Sequence, residues 1–136
     1  MSEFTDYLET EVLDHILGKQ ASNWTPTTNL YVDLLTASGT DSDDLRGQLT
    51  IPTSGSYAPL AVTFAAASAG SKKNTTALTW TNTATGPDWS VVGIAISDGS
   101  ATGSNVYMYD NDMTDATIGQ NEKLQITSSG ITVTLA

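Results

Sequence analysis

A protein that performs chemistry must bring an acid, a base, a nucleophile or a metal ligand within reach of a second such group. This chain offers few. Its one histidine, His15, follows Glu11 by one helical turn, a spacing that brings imidazole and carboxylate together. A hydrolytic triad would add a serine nucleophile, but no G-x-S-x-G elbow occurs anywhere in the chain. His15 therefore reads as a structural or interface residue.

Two acidic stretches offer oxygen ligands, TDSDDLRG from Thr40 to Gly47 and YDNDMTD from Tyr109 to Asp115. Asp41 with Asp43, or Asp110 with Asp112, have the right donor atoms for calcium. Both stretches lack the twelve-residue loop with its closing glutamate, and Asp and Asn are ordinary turn formers. A glycosidase pair would need one carboxyl in an apolar pocket. Here the acids fall in loops or on a helix surface, where water keeps them ionised. No catalytic residue, metal ligand or cofactor is assigned, and the chain is expected not to be an enzyme. Trp80 and Trp89 flank a loop and could stack on sugars; packing in the core, where an indole buries a large area, is the more ordinary role.

Bulk composition narrows the partners. Fifteen acidic and five basic side chains give 136 residues a net charge of -10. The cations Lys19, Arg46, Lys72, Lys73 and Lys123 are scattered, apart from one adjacent pair. Nucleic acid and anionic membranes both need clustered cations, so neither is an expected partner. No apolar run approaches the ~20 residues of a membrane span. The first eleven residues carry four acids and no basic cluster, the wrong start for a signal peptide. With no cysteine, disulfides and thiolate sites are excluded.

The elements that would position these residues are mostly strands. Residues 1–19 are read as an N-terminal amphipathic helix and residues 20–136 as one β-sandwich domain. Within 2–18, Phe4, Tyr7, Leu8, Val12 and Ile16 recur at helical spacing, Ser2 is a plausible N-cap and Gly18 a natural stop. Leu13 and Leu17 form a second ridge, so the helix either buries one wide face or touches two surfaces. Strands are expected at 29–36, 56–64, 76–81, 90–97, 105–110, 123–127 and 131–136. Pro59 marks an edge, a bulge or a strand start, and both faces of 90–97 are apolar, which places it centrally. Gly93 suggests a bulge or the close approach of an aromatic ring. Ser128–Gly130 is expected to turn a hairpin between the last two strands. Seven or eight antiparallel strands with one helix make an all-β sandwich or a jelly-roll-like barrel.

Between two of the best strands lies SDGSATGS. Asp98 and Gly99 begin a turn, Ser100 and Thr102 offer hydroxyls, and Gly103 releases the chain into the next strand. No phosphate-cradling pattern is present and no helix follows to receive an anion. Backbone and small hydroxyls suit contact with another protein.

The runs FTDYLETEVLDHILG, NLYVDLLT, YAPLAVTF, ALTWTNTATGPDWSVVGIAISDGSATGSNVYMY and ITVTL together resemble a family of small structural proteins of tailed bacteriophages. The resemblance covers nearly the whole chain and implies a virion component, made in the bacterial cytoplasm and assembled there. With the empty catalytic inventory, the expected role is non-enzymatic and made of protein contacts: capsid decoration or cement, with a tail, collar or fibre component as one alternative and a module binding host glycans through Trp80 or Trp89 as another. The expected partners are the major capsid protein or other virion proteins, and further copies of the chain, a trimer being favoured. The expected contact residues are Phe4, Tyr7, Leu8, Val12, Leu13, Ile16 and Leu17 on the helix. Asp98, Gly99, Ser100, Thr102 and Gly103 are expected to make an edge contact.

Overall fold

The structure is a computed structural model that describes residues 2–18 and 27–134. Lys19, Trp24, Pro26 and most of the loop expected at 20–28 lie outside the described residues. The fold is an all-β antiparallel sandwich with one helix. Its larger layer is a five-stranded sheet in the order β1-β8-β7-β2-β3, built from β1 (Ser2–Phe4), β2 (Leu30–Leu35), β3 (Leu60–Val62), β7 (Gly93–Ser97) and β8 (Val106–Asp110). Three two-stranded ribbons make the facing layer: β4 (Ser71–Lys73) with β11 (Thr132–Thr134), β5 (Leu78–Thr81) with β10 (Lys123–Ile126), and β6 (Trp89–Val91) with β9 (Ala116–Ile118). Every pairing is antiparallel.

Alternation along β2 sets the architecture, because successive side chains point to opposite faces. Val32 and Leu34 join the main core, where Leu78, Trp80, Trp89 and Val91 reach in from the ribbons. Asp33 and Leu35 face the other way. There Leu35, Ala95, Val106 and Tyr109 are roofed by Leu49 and Ile51 from the long loop after β2. The sheet is therefore covered on both faces, by ribbons on one and by a loop on the other.

Several expectations are revised. Ser2–Phe4 is a strand and not the first turn of the helix: Ser2, Glu3 and Phe4 pair with Asp110, Tyr109 and Met108. The helix α1 spans Asp6–Leu17 and its N-cap is Thr5, whose Oγ1 accepts from Leu8 N. Thr5 wins over Ser2 because it is also buried against β8, where its hydroxyl donates to the Val106 carbonyl at 2.5 Å. Gly18 ends α1 in the left-handed region, as expected.

The run 90–97 divides at Val92 into β6 and β7, which belong to different layers; β7 is central, as the apolar pattern predicts. Gly93 is required by backbone, not by an aromatic ring, since a Cβ there would meet the Asp110 carbonyl oxygen. A bulge between Ile96 and Ser97 shifts the β7–β8 register, so Val106 shares a core cluster with Tyr109 and not a face with Met108. The last two strands do not form a hairpin: β10 pairs with β5 and β11 with β4. Eleven strands stand among the described residues in place of seven or eight. The additional ones are β1, β4, β9 and the extra piece of 90–97. Each of β1, β4 and β9 is only three residues long, too short for a periodic signal.

Candidate functional site

The residues expected on the two ridges of one helix are separated by the fold. Phe4 sits on β1, half-buried, beside Met108. Tyr7 stacks on Tyr107 with ring centroids 6.1 Å apart, and Leu8 is the one buried residue of α1. Val12 is half-buried. Leu13, Ile16 and Leu17 are 56%, 71% and 75% exposed. The helix therefore does not bury one wide face: its N-terminal half packs on β8 and its C-terminal half presents an exposed apolar ridge. His15 is exposed on this same half.

The loop after β7 is stapled inward. Asp98 accepts from Asn105 N and Asn105 Nδ2, both at 2.8 Å, and Asp98 N donates to the Asn105 carbonyl. Ser97 Oγ donates to the Gly99 carbonyl. The other side of the loop meets a short 3-10 turn at Arg46–Gln48: Gly47 N donates to the Thr102 carbonyl and Arg46 N to the Ser104 carbonyl, each at 2.8 Å. Ser100, Thr102 and Gly103 are exposed at its tip. Asp98 is committed to holding the loop's shape.

The acidic stretch at 40–47 is consumed in the same way. Asp43 Oδ2 accepts from Thr40 N, and Asp44 Oδ1 accepts from Tyr7 N, tying α1 to the loop. Asp41 Oδ1 accepts from Tyr109 Oη at 2.8 Å, and Glu3 Oε2 lies 2.5 Å from that same hydroxyl. Burial first, and then these two carboxylates, push the Tyr109 phenol well above its ordinary range. In the second stretch, Asp110 Oδ1 accepts from Asp112 N.

The most concentrated polar chemistry lies in the interior. Arg46 is clasped by Asp33 through two bonds, Nε to Oδ2 at 2.7 Å and an Nη2 bond to Oδ1 at 2.9 Å. Both side chains are buried. Tyr57 Oη donates to Asp33 Oδ1 and accepts from Leu34 N, so the carboxylate is held by three donors. Burial, then the adjacent Asp33 charge, raise Tyr57 far above the usual phenol range. The hydrogen bond to Asp33 raises Arg46 against the opposing effect of burial. Arg46 and Tyr57 hold their protons tightly, which suits scaffolding. An Asp inside an otherwise apolar strand, LYVDLL, was the available sequence signal for it.

Trp80 and Trp89, 3% and 2% exposed, present no face to a glycan. Their indole N–H groups donate to the Ala58 carbonyl and to Ser54 Oγ. The glycan-stacking alternative that relied on these two residues is thereby corrected. What is open is a seam between the layers beside β8. A cavity of about 240 Å3 is lined by Ile94, Met113, Ile126 and Ile131, and a smaller one of about 90 Å3 by Leu30, Phe64, Lys72 and Tyr107. Ile96, Met108 and Val133 line both.

A search of curated proteins returned no match for this chain. A scan against protein families matches residues 3–134 to the family described as "Podophage GP4 fiber I protein gp80". The matched stretch includes every strand from β2 to β11, the whole of α1 and the 98–104 loop, which accounts for the resemblance carried by the motif runs. This chain, a phage virion structural protein, belongs to that podophage fibre protein family.

Proposed function

We propose that the chain is a non-enzymatic structural subunit of a podophage fibre, made in the host cytoplasm and incorporated by protein–protein contacts. The observation that carries this reading is the match to a family described as a podophage fibre protein over residues 3–134. The side chains support it. The buried polar groups brace the sandwich, while three of the four large exposed apolar side chains among the described residues gather on α1, Leu45 being the fourth. A ridge of that kind is a contact device in search of a partner surface. The expected oligomer is a homotrimer.

A second reading rests on the same ridge. An apolar appendage at one edge of a compact sandwich can clamp neighbouring capsid subunits, which would make the chain a head-decoration protein touching the major capsid protein. Gold-labelled antibody fragments against the purified chain, imaged on intact particles, separate the two. Label on the fibres supports the first reading. Label spread over the capsid overturns it in favour of decoration, and particles without label overturn both.

A further inference from the structure

The bare ridge of α1 and the open seam of the sandwich carry complementary chemistry on one chain. Glu9, Leu13, Ile16 and Leu17 follow at i, i+4, i+7 and i+8, which puts them on one helical face. The helix is acidic, with Asp6, Glu9, Glu11 and Asp14. The seam is apolar along Ile96, Met108 and Val133; its narrow end carries the exposed Lys72 and its wider end is lined by Asp110, so an acidic helix is favoured at the narrow end. Among the described cations, Arg46 is occupied by Asp33, and Lys72 is the one that lines the seam. A chain of net charge -10 repels an acidic helix over most of its surface. An apolar groove ending in a lysine is where such a helix is tolerated. The chain's own helix does not fill its own seam, because Thr5 anchors its start to β8 and its ridge points to solvent.

We propose that α1 of one copy docks in the seam of a second copy, with Leu13, Ile16 and Leu17 over Met108 and Val133, and Glu9 toward Lys72. Three side chains bury far less than the ~1,200–2,000 Å2 of a standard stable interface. A single contact of this kind is weak. Because helix and seam are different surfaces, copies either exchange them across a two-fold axis or pass them head to tail, and the head-to-tail contact closes a ring when its rotation allows. The reciprocal dimer is the smallest closed assembly, and a trimer is the smallest head-to-tail ring beyond it.

The inference rests on reading the chain as a virion structural protein, but the two are measured separately. The natural absence of cysteine provides the probe. Leu17→Cys and Val133→Cys chains, purified singly and then mixed under mild oxidation, are expected to give a disulfide-linked heterodimer, with far less product from either chain alone. Lys72→Glu, an exposed change that leaves the core intact, is expected to weaken self-association about two- to fivefold, and Glu9→Lys in the same chain to restore it. Sedimentation of the unmodified chain as a monomer overturns the inference. So does a failure of the mixed pair to cross-link more than each variant alone. A monomeric chain that still enters particles removes the docking inference and leaves the virion reading standing. A self-associating chain that never enters particles does the reverse.

Discussion

Arg46 and Asp33 meet through two parallel hydrogen bonds at 2.7 and 2.9 Å, with the carboxylate on the loop-covered face of the sheet and the guanidinium at the start of a 3-10 turn. The same Arg46 gives its backbone N–H to Ser104, so one residue joins the sheet, the 40–48 segment and the 98–104 loop. A buried pair of this geometry contributes little relative to a well-packed apolar pair, but it is costly to break. Asp33→Asn or Arg46→Ala alone is expected to cost about 3–5 kcal/mol, since each leaves an uncompensated buried group. The joint change Asp33→Leu with Arg46→Met should cost less than either. Urea denaturation of the three variants measures it; additive losses would show that the two residues do not act as a pair.

Tyr57 and Tyr109 are both held protonated beyond the usual phenol range. The sign follows from proton counting. As pH rises through 10, phenols of the unfolded chain lose protons while these two keep theirs, so the folded state loses relative stability. Below that pH their contribution is fully present. Each phenol contributes a slope of up to ~1.4 kcal/mol per pH unit. Chemical denaturation between pH 9 and about 11.5 should show declining stability. Tyr57→Phe and Tyr109→Phe should each flatten the decline while lowering the neutral-pH stability by about 1–3 kcal/mol, because Asp33 and Asp41 lose a donor.

How much of this was legible in the sequence differs by element, for physical reasons. The alternation in LYVDLLT assigns Val32 and Leu34 to one face and Asp33 and Leu35 to the other, as found, because strand periodicity is local. Pro59 marks a strand start at the outer edge, and β3 begins at the next residue. Phe4 misleads because its spacing to Tyr7 and Leu8 fits a helix, while the strand that captures it lies about a hundred residues away in β8. Distant pairing decides that competition, and no window of local sequence contains it. The polar network is hidden for the same reason: Tyr109 meets Glu3 across 106 positions and Asp41 across 68. On α1 the second ridge was readable, and Leu13 and Leu17 are exposed. The seam was not, since strands distant in sequence, β7, β8, β10 and β11 among them, build it.

Gly93 and Gly99 should respond differently to the same substitution. A Cβ at Gly93 meets the Asp110 carbonyl oxygen and Asn111 Cα, backbone atoms that cannot step aside without parting β7 from β8. A Cβ at Gly99 meets Ser104 Oγ at 2.5 Å, the end of a short side chain that can rotate away. Gly93→Ala is expected to cost about 1–3 kcal/mol and Gly99→Ala under about 1 kcal/mol. Thermal melts of the pair check the order, and equal losses would contradict it.

Asn74 replaces the missing hairpin as the device that steers the last two strands. Its buried side chain accepts from Ile131 N at 2.8 Å and donates to the Thr76 and Thr127 carbonyls, while its own carbonyl accepts from Ser129 N. One residue thus closes the turn that carries the chain from β10 to β11. Asn74→Ala leaves the Ile131 N–H without its partner and takes a donor from the Thr76 and Thr127 carbonyls, of which Thr127 keeps Gly130 N, and a loss of about 2–4 kcal/mol is expected at about 1–3 kcal/mol per orphaned buried group. Asn74→Asp keeps the acceptor but not the donor and should fall between. Amide exchange should then speed up at β11 and β4 before the five-stranded sheet is affected.

Thr5 is where strand, helix and sheet are joined, and its removal separates their contributions. The hydroxyl donates to the Val106 carbonyl and accepts from Leu8 N, so it both fixes α1 on β8 and satisfies one of the helix's first N–H groups. Thr5→Ala forfeits both and is expected to cost about 1–2 kcal/mol. Thr5→Ser retains the hydroxyl and should recover most of it. Because Leu8 is the one buried side chain of α1, the cap and the Tyr7–Tyr107 stack are much of what holds the helix down. Helical circular dichroism in Thr5→Ala should therefore fade at a lower temperature than the strand signal. A single transition shared by helix and sheet would instead mean that α1 is fixed by contacts beyond its first turn.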